Sequence, residues 1–221
     1  MPKQALVIGL GQFGMSLARA LTDRGFEVMA VDKRQARVQA ASAFAAEAVA
    51  FDATDEVALA QTAPERRDIS ICAIGDESRE GAIVCTALLR QLGAKKVISR
   101  ATDEVLERIL GLVGAHEVVN PERAFGERLA TRLAFSGVVD ELPLGKDLVI
   151  TEIHPPGALV GRSLVEAQLP RRFGVTVVAV RRMENEQGKV VMPTPHDPIR
   201  GDDILVLVAP PGDVAKMMER L

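Results

Sequence analysis

The stretch Val7–Ser16, VIGLGQFGMS, decides how the rest of the chain is read. An apolar run meets three glycines, Gly9, Gly11 and Gly14, at the spacing G-x-G-x-x-G, and a helical pattern follows. Alone the spacing is a weak signal. Placed after a strand, at the opening of a helix and inside a strand–helix–strand unit, it reads as a nucleotide-binding turn. Gly9 allows the tight turn, Gly11 lets a phosphate approach the backbone, and Gly14 lets the helix pack closely on the sheet. The unpaired N–H groups at the helix start, with the helix dipole, attract the anion. The alternative is three glycines that serve packing alone.

The pattern continues outward from this turn. Strands are expected at 5–9, 27–31, 48–51, 69–74, 96–99 and 117–119, and helices at 13–24, 34–45, 56–63, 78–92, 103–113 and 121–135. Strands alternating with helices require crossover connections, so the expected fold is α/β, a Rossmann-like doubly wound parallel sheet over residues 1–136. In SGVVDELPLGKD (136–147) the periodicity lapses, and the segment reads as a linker. Beyond it, DLVITEIHP, GVTVVAVRR, KVVMP and DDILVLVAP read as strands, with helices only near 163–168 and 213–221. MENEQGK (183–189) reads as a hairpin turn. Residues 137–221 are therefore expected to form a second, smaller α+β domain.

Asp32 ends the second expected strand, 18 residues after Gly14. A carboxylate there accepts hydrogen bonds from ribose hydroxyls and repels a 2′-phosphate, so adenosine nucleotides or NAD are expected over NADP. Lys33 and Arg34 temper that argument, and Asp32 is equally placed to cap the next helix. FDAT (51–54) and AIGDES (73–78) follow the third and fourth strands, at the sheet end where ligands lie. Asp52 and Thr54 can border an adenine, while Asp76 or Ser78 can cap a helix. Arg100 ends the fifth strand and aims a cation at the same crevice, or at solvent. Glu122 follows Pro121 at a helix start, where the dipole alone accounts for a carboxylate.

Composition excludes other classes. The 221 residues carry a net charge of −3, contain neither Trp nor Tyr, and are 3% aromatic, so neither the charge nor the stacking platforms of a nucleic-acid binder are present. Cys72 and Cys85 are too few for a disulfide framework or a zinc site and sit in apolar segments, where cysteine packs as a small hydrophobe. The opening Met-Pro-Lys-Gln leads into a strand without the features of a signal peptide, and a cytoplasmic location is expected. An oxidoreductase on this fold needs an acid or base over the nicotinamide. His116, His154 and His196 have no partner spacing that suggests one, and no Walker-type lysine loop is present. In ERAFGERLATRLAF (122–135), Phe125, Leu129 and Leu133 share one helical stripe that can grip another subunit.

VIGLGQFGMSLARAL, VDKR, FDATDE, AIGDE, VISRATD, GAHEVVNPERAFGERLA and the β-rich tail together resemble the cytoplasmic regulatory subunits of Ktr/Trk-type potassium uptake systems, which are built from RCK domains. The resemblance implies an amino-terminal domain that binds ATP, ADP or NAD(H) and a carboxy-terminal domain that dimerises. It further implies a homo-oligomer, an octameric ring docked under a membrane-embedded potassium-translocating subunit and reshaped by nucleotide exchange. By matching position it assigns Gly9, Gly11, Phe13, Gly14, Asp32, Asp52, Ala53, Thr54, Ile74, Gly75 and Arg100 to the nucleotide site, and Glu122 to a divalent cation, Mg²⁺ or Ca²⁺, at the phosphates; Lys33 and Asp76, next to these positions, are expected at the same site. Gln12 stands where such subunits usually carry an arginine that touches the terminal phosphate of ATP, which favours NAD(H), or ADP and ATP without strong discrimination. In the tail, Leu164 and Val165 match the apolar wall of a cyclic di-AMP site and Pro193 a proline near it, whereas the usual arginine falls opposite Pro170, beside Arg171 and Arg172.

Overall fold

A computed structural model of the chain describes residues 2–75, 78–135, 137–145, 147–184 and 187–221. The chain divides into two compact units, Met1–Arg123 and Ala124–Leu221. The division falls N-terminal of the expected residue 136.

The first unit alternates strand and helix: β1 (Gln4–Ile8), α1 (Gln12–Asp23), β2 (Glu27–Asp32), α2 (Gln35–Ala41), β3 (Glu47–Ala50), α3 (Glu56–Ala60), β4 (Ile69–Cys72), α4 (Arg79–Gln91), β5 (Val97–Arg100), α5 (Glu104–Leu112) and β6 (Glu117–Val119). All six strands are parallel, in the order β3-β2-β1-β4-β5-β6. The strand order reverses between β1 and β4, which opens a crevice at their carboxyl ends. The apolar run of β1 follows from double coverage: Leu6 and Ile8 enter one buried cluster with Cys72, Cys85 and Leu89, while Ala5 and Val7 enter the other with Leu10, Ala18 and Val38. Helix boundaries have local causes. Asp55, Ser78 and Asp103 each accept a first-turn N–H and so start α3, α4 and α5. Both cysteines are free and fully buried, as expected for packing residues. The hydrogen bond with Cys72, together with burial, pushes the Cys85 thiol well above its ordinary value.

Helix α6 (Pro121–Ala134) contains the point of division. The second unit continues with β7 (Val138–Leu144), β8 (Leu148–Ile153), α7 (Leu164–Ala167), α8 (Leu169–Phe173), β9 (Thr176–Glu184), β10 (Gln187–Val191), β11 (Ile204–Ala209) and α9 (Asp213–Arg220). Its strands are antiparallel, in the order β10-β9-β11-β8-β7. Val149, Thr151 and Ile153 of β8 alternate into the core beside Leu205, Leu207 and Ala209 of β11, and Leu169, Val214 and Met217 from α8 and α9 complete it. The expected linker at 136–147 is largely strand: β7 pairs antiparallel with β8 from Val138 to Leu144. Pro143 hid it, and β7 tolerates that proline because it lies at the sheet edge. The hairpin expected at 183–189 joins β9 and β10, with its two central residues outside the described set.

Candidate nucleotide site

The glycine turn is built from its own clashes. Gly9 has φ +91°, and a Cβ on it would stand 2.8 Å from Ile74 N, so the position requires glycine. A Cβ on Gly14 would collide with the Gly9 carbonyl oxygen, which is how closely α1 packs on the turn that precedes it. Gly9 N donates to Val31 O at 2.8 Å and Leu10 N to Asp32 Oδ2 at 2.7 Å, so β2 clamps the turn from the side. Gly11 is the N-cap of α1; no side chain caps it and no acidic residue stands in the first turn. Among the described residues the first N–H groups of α1 have no side-chain cap, and they and the partial positive charge of the helix dipole face the crevice.

That crevice is a cleft of about 650 Å³, within the range of small-molecule sites. Gly9, Gly11, Gln12 and Phe13 form one wall, with Asp32 and Lys33 from the end of β2. Asp52, Ala53 and Thr54 come from the loop after β3, and Ile74 and Gly75 from the loop after β4. Arg100 reaches it from the end of β5 and Glu122 from the first turn of α6. Gly14 lies behind the wall, where it packs. Asp76 lies outside the described residues. Arg37, Glu80, Gly81 and Val84, which the sequence does not single out, also line the cleft, as does Ser78, expected as a cap. Arg37 was illegible because its relation to Asp32, across the start of α2, is one of space rather than of motif.

The charges are paired. Asp32, 5% exposed, accepts Leu10 N–H and Arg37 Nη1 on Oδ2, the latter at 3.3 Å, and Arg34 N–H on Oδ1 at 2.8 Å. It thus steadies both the glycine turn and the start of α2. Asp52 accepts the N–H and hydroxyl of Thr54 at 3.0 and 2.8 Å; these bonds, with the nearby Lys33 charge, hold its carboxyl below the ordinary aspartate value. Arg100 Nη2 donates to Glu122 Oε1, and its guanidinium lies 5.9 Å from the centre of the Phe13 ring. Ser78 Oγ accepts Gly81 N–H and is spent as a cap.

Glu122 does not gather a cation site by itself. Its carboxylate is engaged by Arg100, and among the described residues no three His, Cys, Asp or Glu side chains converge on a metal position. The histidines stay out of the cleft: His116 accepts Val97 N–H on Nδ1 and faces Arg90 at Nε2, while His154 and His196 are exposed in the second unit. In that unit Val165 N donates to Pro195 O, which brings the segment holding Pro193 beside Leu164 and Val165. Arg171 and Arg172 are exposed, with Arg172 stacked 4.8 Å from the Phe173 ring centre.

A doubly wound sheet whose glycine turn, helix start and acidic residues face one cleft at the carboxyl ends of its strands places the first unit in the Rossmann class of folds. Residues 5–121 match the TrkA-N domain family and residues 148–221 the TrkA-C domain family; the chain belongs to this family. Ktr system potassium uptake protein C of Bacillus subtilis (strain 168) is 32% identical over 221 residues, covering 100% of this chain and 98% of its own. Ktr system potassium uptake protein A of Vibrio alginolyticus is 30% identical over 221 residues, covering 99% and 98%. Among solved structures, the GsuK channel bound to NAD superposes with a TM-score of 0.66 at 19% identity, over 97% of this chain. The chain spans 38% of that channel's length, and the likeness bears on the fold alone. No helix among the described residues is long and apolar enough to cross a membrane.

Proposed function

We propose that this chain is the regulatory subunit of a potassium uptake system, and that the nucleotide in its cleft is a signal rather than a reactant. The observation that carries the reading is the bare amino end of α1 facing the cleft in a chain matched along its whole length by two Ktr system potassium uptake proteins. The ligand class is an adenine nucleotide, ATP, ADP or NAD(H), with its phosphates at the first turn of α1 and its ribose near Asp32. Gln12 brings no charge to the phosphates, which weakens discrimination for ATP. A divalent cation, Mg²⁺ or Ca²⁺, can join the site only with ligand phosphates supplying most of its oxygens, because Glu122 is the one candidate donor assigned to it. Cyclic di-AMP is a candidate for the second unit near Leu164, Val165 and Pro193.

The partner is a membrane-embedded potassium-translocating subunit, met from the cytoplasmic side by a ring of copies of this chain, eight in the arrangement that the resemblance implies. Exposed Phe125 and Leu133 on α6 support self-association. A nucleotide shifts such an assembly between two shapes only by its difference in affinity for them. The test is potassium uptake by vesicles holding the translocating subunit, with and without this chain, across ATP, ADP, NAD⁺ and NADH. Uptake that depends on both the chain and the nucleotide is expected; uptake indifferent to the chain contradicts the reading.

A further inference from the structure

Arg100 is the cation best placed to meet a phosphate tail, and it is already occupied. Its side chain is 13% exposed and held from several sides. A Cβ on Gly75 would collide with Nη1, so the guanidinium lies directly on that backbone, and the Phe13 ring stands near it. Nε is buried without a hydrogen-bond partner, so the arginine has unused donor capacity. Its described ion-pair partner is Glu122, whose side chain is 58% exposed and opens α6. One member of the pair is fixed by packing, and the other can swing into solvent.

We propose that Glu122 is an internal competitor for Arg100, and that the Arg100–Glu122 pair sets how strongly the cleft rewards a ligand with a terminal phosphate. The inference rests on the nucleotide reading above and concerns the same site. A terminal phosphate carries charge that the bridging pyrophosphate of a dinucleotide lacks. To reach Arg100 it must displace a carboxylate of its own sign, and Glu122 left beside it repels it. A ligand without such a phosphate leaves the pair intact. Glu122 therefore acts against ADP and ATP when no divalent cation is present, the opposite sign to that of a metal-ligand role. A cation between carboxylate and phosphate would relieve the conflict, and the pair would then open only for the cation-loaded nucleotide.

The experiment is calorimetric titration of the full chain in chelator with ADP, ATP and adenosine, using wild type, Glu122→Gln, Arg100→Gln and the double variant. Partly exposed ion pairs are worth a few tenths to about 1 kcal/mol, so Glu122→Gln is expected to tighten ADP and ATP by up to about fivefold and to leave adenosine unchanged. Arg100→Gln is expected to weaken ADP and ATP, and adding Glu122→Gln to it is expected to change little. Glu122→Ala serves as a second variant with the same expected sign. Tightening of equal size without Arg100, or ADP binding to Glu122→Gln and Glu122→Ala at or below wild-type affinity, overturns the proposal. Failure of wild type to bind any of the three ligands, or NAD⁺ titrated beside them, instead overturns the nucleotide reading beneath it.

Discussion

The Asp32 carboxylate holds the glycine turn through Leu10 N–H, the start of α2 through Arg34 N–H, and the Arg37 guanidinium. A group with three donors and almost no exposure is structural as well as a ribose acceptor. Asp32→Ala leaves a buried N–H unpaired, so the unfolding free energy is expected to fall by about 1–3 kcal/mol in urea denaturation, with nucleotide affinity falling alongside. Unchanged stability would show that the turn does not lean on this side chain. Gly14→Ala sets a methyl group against the Gly9 carbonyl oxygen, and overpacking of this kind costs about 1–3 kcal/mol, measured in the same way. The turn at Gly9, the close packing at Gly14 and Asp32's position at a strand end were legible because they are fixed by backbone geometry and by a spacing. The pairing of Arg100 with Glu122 was not, because it joins residues 22 apart that only the fold brings together, and that of Arg37 with Asp32 was not, because it depends on how the first turn of α2 is set against the end of β2.

Elements differ in how much their own residues explain. Helices α3, α4 and α5 carry their start signals in Asp55, Ser78 and Asp103, and they begin where those residues say. Helix α6 is the exception: none of its 14 residues is buried, and Phe125 and Leu133 are 64% and 75% exposed. A helix with this stripe is expected to be covered by another copy of the chain. The double substitution Phe125→Ser and Leu133→Ser is expected to lower the assembly's mass in light scattering while circular dichroism stays unchanged; identical mass would assign the contact elsewhere. In the second unit, Glu166 closes a capping box with Ser163, accepting its N–H and hydroxyl, and these bonds hold the Glu166 carboxyl below the ordinary glutamate value. A lowered folded-state value contributes stability above the unfolded value, and that contribution is lost as pH falls through the folded one. Wild type is therefore expected to melt above Glu166→Gln at neutral pH, and the two curves to converge as pH falls below the ordinary glutamate range. A gap that persists at acid pH would contradict the capping account. Strand β7 shows the limit of local reading: the periodicity lapses across 136–147, and only the pairing with β8 at the sheet edge reveals the strand.

At the scale of the whole molecule, the doubly wound parallel sheet and the change to a smaller α+β unit were legible, because each rests on a repeating pattern rather than on single residues; the strand order and the antiparallel pairing of the second sheet were not. Nor was the site's charge balance, since it arises where the ends of β2 and β5 meet the start of α6. The account holds that an adenine nucleotide occupies this cleft and stabilises the folded chain, by about 2.7 kcal/mol at a hundredfold excess over Kd. The most direct measurement is calorimetric titration of the purified chain with ADP and with NAD⁺, beside the same titration of a Gly11→Asp variant that sets a carboxylate at the start of α1. The account predicts one nucleotide per chain in wild type and its loss in the variant. No heat and no gain in melting temperature for either nucleotide, or equal binding by the variant, would contradict it.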